Sequence, residues 1–298
     1  MAEEWIDGLS SIQEIEAKNI YMVPGNHDIQ RESEKENRNL RRLVDNLRSG
    51  IDNIDDAYAC KEDLDLLQLK FQNYRNFAIK YLSSGCKNVE DVYWYCDKNS
   101  DSMKIKIVGL NTAILAKNDD DKQKLRLGKF QIKALAATDP DELLIVLTHH
   151  PLDWLGDSQD VTRWLESKKH IHLSGHLHDQ ETKHIQRGGG AKFIKIMAGA
   201  AHTSLDGFSH SYNLASILSV DDKIFLRIWP RLWSDKNKEF RVDVDLVSEG
   251  SSYTDHPLDI KTCNEVFLGE KLSNEKIERD ESYSRSEEHT SELQSPNT

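Results

Sequence analysis

Three segments of this 298-residue chain share one pattern, in which a short apolar run leads straight into a turn that contains histidine. They are residues 21–28, 144–151 and 171–178. Apolar runs of this length predict buried β-strands, and Gly25 and Gly175 give two of the turns room for tight backbone geometry. The carboxyl ends of the strands in an open α/β sheet lie at one edge, where such folds place their sites. We therefore expect the polar side chains of the three turns to converge.

The remaining sequence alternates between helical and strand patterns. Apolar residues at helical spacing predict helices over 3–17, 34–48, 63–82 and 128–137, with a further one at 161–166. Strands are predicted over 19–23, 92–96, 104–110, 143–147, 170–173, 193–197, 214–220, 224–229 and 240–247. Interleaved helices followed by a run of strands indicate a mixed α/β layered domain.

The patterning divides the chain into three parts. We predict one domain over residues 1–230 and an appendage over 231–284, where the pattern weakens. Residues 285–298 are interpreted as a non-native tail, because 285–295 resemble the in-frame translation of a common sequencing-library adapter. A segment of that kind is left out of fold reasoning.

Charge and cysteine content limit the classes of partner. The chain has 39 Lys and Arg against 51 Asp and Glu, and its net charge of -12 argues against a surface that coats nucleic acid. No apolar run reaches the roughly 18 residues needed to span a bilayer, and the first residues lack the basic and apolar regions of a secretory signal. Four cysteines without C-x-x-C spacing are typical of a reducing compartment. We expect a cytoplasmic protein that binds neither a membrane nor long nucleic acid.

The three turns read G-N-H-D at 25–28, H-H-P at 149–151 and G-H-x-H at 175–178. As an ordered set, these motifs resemble the signature blocks of the calcineurin-like metallophosphoesterase superfamily, and the resemblance covers about residues 1–230. It implies an α/β fold, a layered α/β/β/α sandwich of two mixed β-sheets flanked by helices. It also implies an enzyme that hydrolyses phosphate mono- or diesters. Because the acidic net charge gives no support for long nucleic acid, we expect a small phosphoester as its substrate.

The resemblance assigns roles to individual residues. The second metal would be bound by Asn26, His149 and His176, the first metal by His178, and the catalytic residues would be His27 and Asp28. His27 would contact the phosphoryl oxygen or protonate the leaving group, and Asp28 would hold its ring. Imidazole, amide and carboxylate ligands suit Mn, Fe or Zn. Two such divalent ions, roughly 3.5–4 Å apart, would activate a bridging hydroxide for in-line attack on phosphorus. His150 and Pro151 are interpreted as residues that shape the turn.

Two signature blocks of the family have no counterpart before residue 25. D-x-H occurs nowhere in the sequence, and G-D-x-x-D occurs only at 156–160, where Asp157 or Asp160 is interpreted as a cap for the helix that follows. The remaining ligands are neutral, whereas two divalent ions about 3.5 Å apart repel by roughly 19 kcal/mol at an effective dielectric constant of about 20. We expect an N-terminally truncated member that lacks its first strands, binds at most one metal well and has impaired turnover.

Two alternatives to a phosphoesterase of small substrates stay open. One is a nuclease of the same superfamily, although the basic runs at 38–42 and 168–169 are short. The other is a non-catalytic relative that uses one metal as a structural or sensing element. Upstream coding sequence that encodes the two absent blocks in frame would favour the enzyme over the non-catalytic relative. The substrate, the native metals, the oligomeric state and the role of residues 231–284 do not follow from the sequence.

Overall fold

The computed structural model describes residues 2–82, 85–89, 91–100, 103–118, 120–135, 142–166, 170–177, 180–186, 192–200, 210–220 and 223–258. Its helices are α1 (Ala2–Gln13), α2 (Arg31–Glu36), α3 (Arg38–Ser49), α4 (Ile54–Ala59), α5 (Lys61–Leu69), α6 (Gln72–Leu82), α7 (Gly128–Ile132) and α8 (Ser158–Glu166). Its strands are β1 (Tyr93–Ser100), β2 (Met103–Leu110), β3 (Leu143–Leu147), β4 (His170–Ser174), β5 (Glu181–Gln186), β6 (Lys192–Met197), β7 (Ser211–Val220), β8 (Lys223–Ser234), β9 (Glu239–Val242) and β10 (Thr254–Leu258). Short 3-10 turns lie at Ala17–Asn19, Lys133–Leu135, Leu152–Trp154 and Val244–Leu246.

The first sheet has six strands in the order β1-β2-β3-β4-β6-β5. Strands β2, β3, β4 and β6 run parallel, and the edge strands β1 and β5 pair antiparallel to their neighbours. Strand β3 is an unbroken apolar run, as expected of a strand covered on both faces. The predicted mixed α/β domain is confirmed. Because β3 and β4 are parallel neighbours, the turns that follow them meet at one edge of the sheet.

The second sheet packs against one face of the first. Its order is β10-β8-β7, with β9 also paired to β8, and its described pairings are all antiparallel. The resemblance implied two mixed sheets, and among the described residues the pairings of the second sheet are antiparallel. Alternate residues of β8 are buried, at Ile224, Leu226 and Ile228. They share a core with Ile171 and Ile194 of the first sheet.

Helices cover the opposite face of the first sheet. The buried apolar residues of α3 follow helical spacing and are Leu40, Leu43, Val44 and Leu47. They belong to a core that includes Val108 of β2 and Val146 of β3, together with residues of α4, α5, α7 and α8. Helix α6 packs on the face of the first sheet that the second sheet also covers. The apolar cluster to which α6 belongs shares Ile105 and Ile145 with the core between the two sheets. The layers are therefore helices, first sheet and second sheet, with α6 beside the second sheet.

Two of the predicted helices are each interrupted by a polar residue. The predicted helix over 34–48 is broken at Asn37, whose side-chain oxygen caps α3. The predicted helix over 63–82 is broken after α5, where the buried Lys70 ammonium group lies 2.7 Å from Glu34. Apolar spacing does not reveal either contact, so it predicted one longer helix in each place.

The sequence predicted a strand over 19–23, but this segment forms no strand in the structure. Tyr21 stacks on Trp94 of β1 with ring centroids 5.8 Å apart. The Met22 carbonyl oxygen accepts the indole N–H of Trp94 and the hydroxyl of Tyr74. The segment is therefore packed through side chains on the apolar face of β1, where no strand edge is available for a ladder.

The last described residues belong to the second sheet. Strand β8 crosses position 230, and β9 and β10 pair with it as far as Leu258. The predicted boundary at 230 therefore lies inside a strand. Residues 259–298 lie outside the described residues, so the interpretation of 285–298 as a non-native tail stays a prediction. Among the helices that are described, none is long and apolar enough to cross a bilayer.

Candidate metal centre

The turns after β3 and β4 are joined by backbone hydrogen bonds. The N–H of Thr148 donates to the carbonyl oxygen of Leu173 at 2.9 Å, and the N–H of Gly175 donates to that of His149 at 3.0 Å. These bonds continue the parallel pairing of the two strands past their ends. The turns that carry His149 and His176 are thus fixed side by side.

Three of the four predicted metal ligands are neighbours in space. Nε2 of His149 lies 3.0 Å from Oδ1 of Asn26 and 3.2 Å from Nδ1 of His176. The rings of His149 and His176 have centroids 5.2 Å apart. His178, the fourth predicted ligand, lies outside the described residues. The three turns thus approach one another through these side chains, and metal binding by them stays a prediction.

Two backbone features accompany this approach. A Cβ atom at Gly25 would lie 2.8 Å from the ring of His149, so only glycine leaves room for that ring. His176 has a φ of 74°, in the left-handed region that few residues other than glycine adopt. Backbone strain of this kind is common at functional sites, where the surrounding structure maintains it. Here the strained residue carries the ring that faces His149.

His150 also belongs to this cluster, although its position in the sequence suggested a turn-shaping residue. It is fully buried, and its ring centroid lies 4.5 Å from that of His176. Ring nitrogens of His149, His150 and His176 all lie within 4.8 Å of one another. The available signal was a pair of consecutive histidines after a strand. Side chains alternate between the faces of a strand, so the pattern offered no reason to place both on one side.

His150 is fixed by one ring nitrogen and presents the other. Its Nδ1 lies 3.0 Å from Oγ1 of Thr112, which also accepts the backbone N–H of His150 at 3.0 Å. Its Nε2 is buried and has no hydrogen-bond partner among the described residues. Burial, reinforced by the charges of His149 and His176, lowers the pKa of His150 to about 2, so the ring is neutral near pH 7. A buried nitrogen without a partner is costly, and a bound metal ion would remove that cost.

The donor set fits one divalent ion. A tetrahedral ion with bonds to nitrogen of about 2.0–2.1 Å holds its ligands about 3.3 Å apart. The separations of 3.0 and 3.2 Å around Nε2 of His149 are close to that value. Neutral imidazole suits Zn and also Mn or Fe, and an amide oxygen can complete such a set. Within the part of the chain that the structure describes, no carboxylate joins the three histidines.

Thr148 supports the turn that carries the consecutive histidines. Its hydroxyl donates to the carbonyl oxygen of His150 at 2.9 Å, so its oxygen accepts from Nε2 of His172, which lies 2.9 Å away. Burial lowers the pKa of His172 to about 3, and the charges of His170 and Lys195 add to the effect. A neutral, buried His172 thereby fixes the conformation of this turn.

His27 and Asp28, the predicted catalytic residues, lie on the exposed part of the G-N-H-D turn. The carboxylate of Asp28 accepts the backbone N–H of Gly25 at 2.8 Å and so closes the turn. Asp28 was predicted to hold the ring of His27, but the described structure contains no hydrogen bond between the two side chains. The exposed His27 is open to solvent, and its part in catalysis stays a prediction.

Trp154 forms one wall of the cluster. Its ring meets the ring of His176 edge to face, with centroids 4.3 Å apart, and the side chain is half-buried. Nζ of Lys122 lies 5.9 Å from the same ring. The aromatic wall therefore limits the access of water to His176 from that side.

The G-D-x-x-D match at 156–160 has a structural role. The carboxylate of Asp157 accepts the backbone N–H groups of Leu127 and Gly128 at 3.0 and 2.8 Å. It thus caps the start of α7, whereas the sequence suggested a cap for the helix after residue 160. Burial raises the pKa of Asp157, and these backbone hydrogen bonds oppose that effect.

A family model for calcineurin-like phosphoesterases matches residues 2–180. A dimetal phosphatase from Danio rerio is 14% identical with a TM-score of 0.36, and the match covers 51% of this chain and 63% of that chain. A single mutant of Vps29 from Entamoeba histolytica is 17% identical with a TM-score of 0.21, and the match covers 45% of this chain and 77% of that chain. Thus the chain spans less than two thirds of the Danio rerio structure. Among curated proteins, none matches the chain.

Proposed function

Because this chain belongs to the calcineurin-like phosphoesterase family, we propose that its histidine cluster is a metal centre for the hydrolysis of phosphate mono- or diesters. One observation carries the proposal. Oδ1 of Asn26 and Nδ1 of His176 lie 3.0 and 3.2 Å from Nε2 of His149, the spacing of ligands that share an ion. The unpartnered Nε2 of His150, buried beside them, supports the same assignment.

The residues of the cluster and of the adjoining turn would have different roles in this reaction. His149, His176 and Asn26 hold the ion, with His178 as a further predicted ligand. Divalent ions bound there would supply Lewis acidity toward a phosphoryl oxygen and activate water for attack on phosphorus. His27, exposed on the adjoining turn, would hold a proton for the leaving group.

We propose further that these 298 residues bind one ion firmly and turn over slowly. The donors that meet in the cluster are neutral, and D-x-H, which in this family contributes to the first metal site, is absent from the sequence. Among the described residues of the cluster, no carboxylate offsets the repulsion of a second divalent ion a few ångströms away. The native metal, Mn, Fe or Zn, and the choice between mono- and diesters belong to the same proposal.

Calorimetric titration with Zn²⁺ or Mn²⁺ tests the centre. We expect one ion per chain, with the affinity falling by at least about tenfold in His149→Ala and in His176→Ala. His256→Gln is the matched control, because His256 lies on β10 of the second sheet and its ring bonds to Thr254. Equal affinity in all four proteins would overturn the assignment of the centre.

Hydrolysis of aryl phosphate mono- and diesters tests the reaction. We expect slow turnover that a chelator abolishes, that His149→Ala removes, and that His27→Ala reduces while the bound metal is retained. Metal binding without any chelator-sensitive hydrolysis would overturn the enzymatic proposal and favour the non-catalytic relative. Cleavage of long nucleic acid in preference to the small esters would favour the nuclease.

A further inference from the structure

The residues before β1 run along the free edge of that strand. The N–H of Lys87 donates to the carbonyl oxygen of Tyr95 at 2.7 Å, and the N–H of Tyr95 donates back to that of Lys87 at 3.1 Å. This exchange defines an antiparallel, hydrogen-bonded pair. In an antiparallel pair, the residue before Lys87 lies opposite the residue after Tyr95. Cys86 therefore lies directly opposite Cys96.

The position of this cysteine pair suits a covalent bond. Hydrogen-bonded and non-hydrogen-bonded pairs alternate along antiparallel strands, so the pair of Cys86 and Cys96 is a non-hydrogen-bonded one. In such a pair the Cα atoms are about 4.5 Å apart and the side chains approach most closely. Disulfides span Cα separations of about 4.4–6.8 Å. The facing side chains of Cys86 and Cys96 lie within one apolar cluster, so both sulfur atoms are on the same face of the sheet.

The two thiols already interact. Cys96 is 1% exposed and Cys86 is half-buried, and their side chains are hydrogen-bonded to each other. The hydrogen bonds from Cys86 and Tyr21, with the nearby ammonium group of Lys98, lower the pKa of Cys96 to about 7, although burial opposes them. The pair thus gives up one proton more readily than an ordinary thiol does, and the thiolate is the nucleophilic form.

We propose that Cys86 and Cys96 are a redox-active pair that forms a reversible disulfide across the edge of the first sheet. The accessible sulfur of Cys86 attacks a low-molecular-weight disulfide, its proton passes to the hydrogen-bonded Cys96 thiolate, and one small thiolate is released. Cys96 then loses that proton to solvent, attacks Sγ of Cys86 and releases the second small thiolate. The chain loses two electrons and two protons, and the reagent disulfide is reduced to two thiols.

The bond would join β1 to the residues before it, and Cys96 also contacts the segment that leads into the metal centre. Tyr21 contacts Cys96 and stacks on Trp94, and it precedes Asn26 by five residues. Closing the disulfide would hold Cys86 and Cys96 together beside the side chain of Tyr21. The proposal does not depend on the phosphoesterase reaction, and its test needs no substrate.

Oxidation of the full chain with glutathione disulfide, followed by peptide mass mapping, tests the pair. Trypsin cleaves after Lys80, Lys87 and Lys98, so the two cysteines fall on separate peptides unless they are bonded. We expect a cross-linked pair of peptides, lighter than their sum by two hydrogen atoms and restored by a reducing agent. Cys60→Ser should leave this product unchanged, whereas Cys96→Ser should leave Cys86 joined to glutathione.

Two comparisons make the result decisive. In the chain unfolded by urea, Cys60 and Cys263 compete as partners, so the yield of the Cys86–Cys96 product should fall relative to the folded chain. Circular dichroism verifies that the oxidised sample is folded. A folded chain in which Cys86 and Cys96 each carry glutathione, or in which both stay reduced while Cys60 is modified, would overturn the proposal.

Discussion

At the residue scale, the geometry of the histidine cluster depends on a missing side chain. The ring of His149 occupies the space that a Cβ atom of Gly25 would need. The ring can therefore reach Asn26, the next residue of the same turn, at 3.0 Å. Glycine is required there for space, because its φ lies outside the left-handed region.

We predict that Gly25→Ala weakens metal binding by about tenfold or more, because the added methyl group displaces the ring of His149. Overpacking of this kind also costs roughly 1–3 kcal/mol in the free energy of unfolding. Gly8→Ala is the matched control, since a Cβ atom there meets nothing within 4 Å. Calorimetric titration and urea unfolding measure the two effects. Unchanged affinity in Gly25→Ala would show that the ring is not confined as described.

At the element scale, α3 anchors the loop after β2 that supports the cluster. Arg48, in the last turn of α3, donates to the carbonyl oxygens of Leu115 and Asp120, and its guanidinium lies 2.5 Å from the carboxylate of Asp121. Buried carbonyl groups need such partners. The same loop begins near Thr112, which fixes His150. A contact at the end of a helix thus helps to position a ring in the site.

We predict that Arg48→Met and Asp121→Leu each lower the free energy of unfolding by about 3–5 kcal/mol, because each leaves a buried charge without its partner. The double variant should lose less than the sum of the two, since neither charge then remains. Urea unfolding of the four proteins gives the coupling energy. Additive losses would mean that the two side chains act independently.

At the scale of the whole molecule, two sheets share one core. Alternate residues of β8 face the first sheet, while the neighbouring strand β7 leaves Leu214 on the outside. Leu226 is 4% exposed and Leu214 is 52% exposed, although both are leucines in paired strands of one sheet. Residues beyond position 230 add β9 and β10 to this layer. The second sheet is therefore an integral part of the domain.

We predict that Leu226→Ala lowers the free energy of unfolding by about 2–5 kcal/mol, through lost burial and the cavity left between the sheets. Leu214→Ala should change it by less than about 0.5 kcal/mol, since that side chain is mostly in water. Thermal or urea unfolding of the two variants distinguishes them. Similar losses in both would contradict the packing of this face against the first sheet.

Much of the fold and part of the candidate site could be predicted from local patterns. The apolar runs before His149 and His176 placed these residues in the turns after two strands, β3 and β4. The turn that carries Asn26 was predicted from Gly25, although the segment before it forms no strand. Strand β3 was predicted with its observed bounds because a buried parallel strand is apolar throughout. Strands β5 and β10 were not predicted, because most of their residues are polar and β10 also contains a proline.

The sequence by itself determined which residues the turns contain, the α/β class and the family, because motif order and hydrophobic period are properties of neighbours along the chain. Only the tertiary structure decided that residues 19–23 pack without a ladder, that His150 joins His149 and His176, and that β8 continues through position 230. Each of these depends on which distant surface a segment meets. Local spacing carries no information about that surface, since burial and pairing are settled by contacts between residues far apart in sequence.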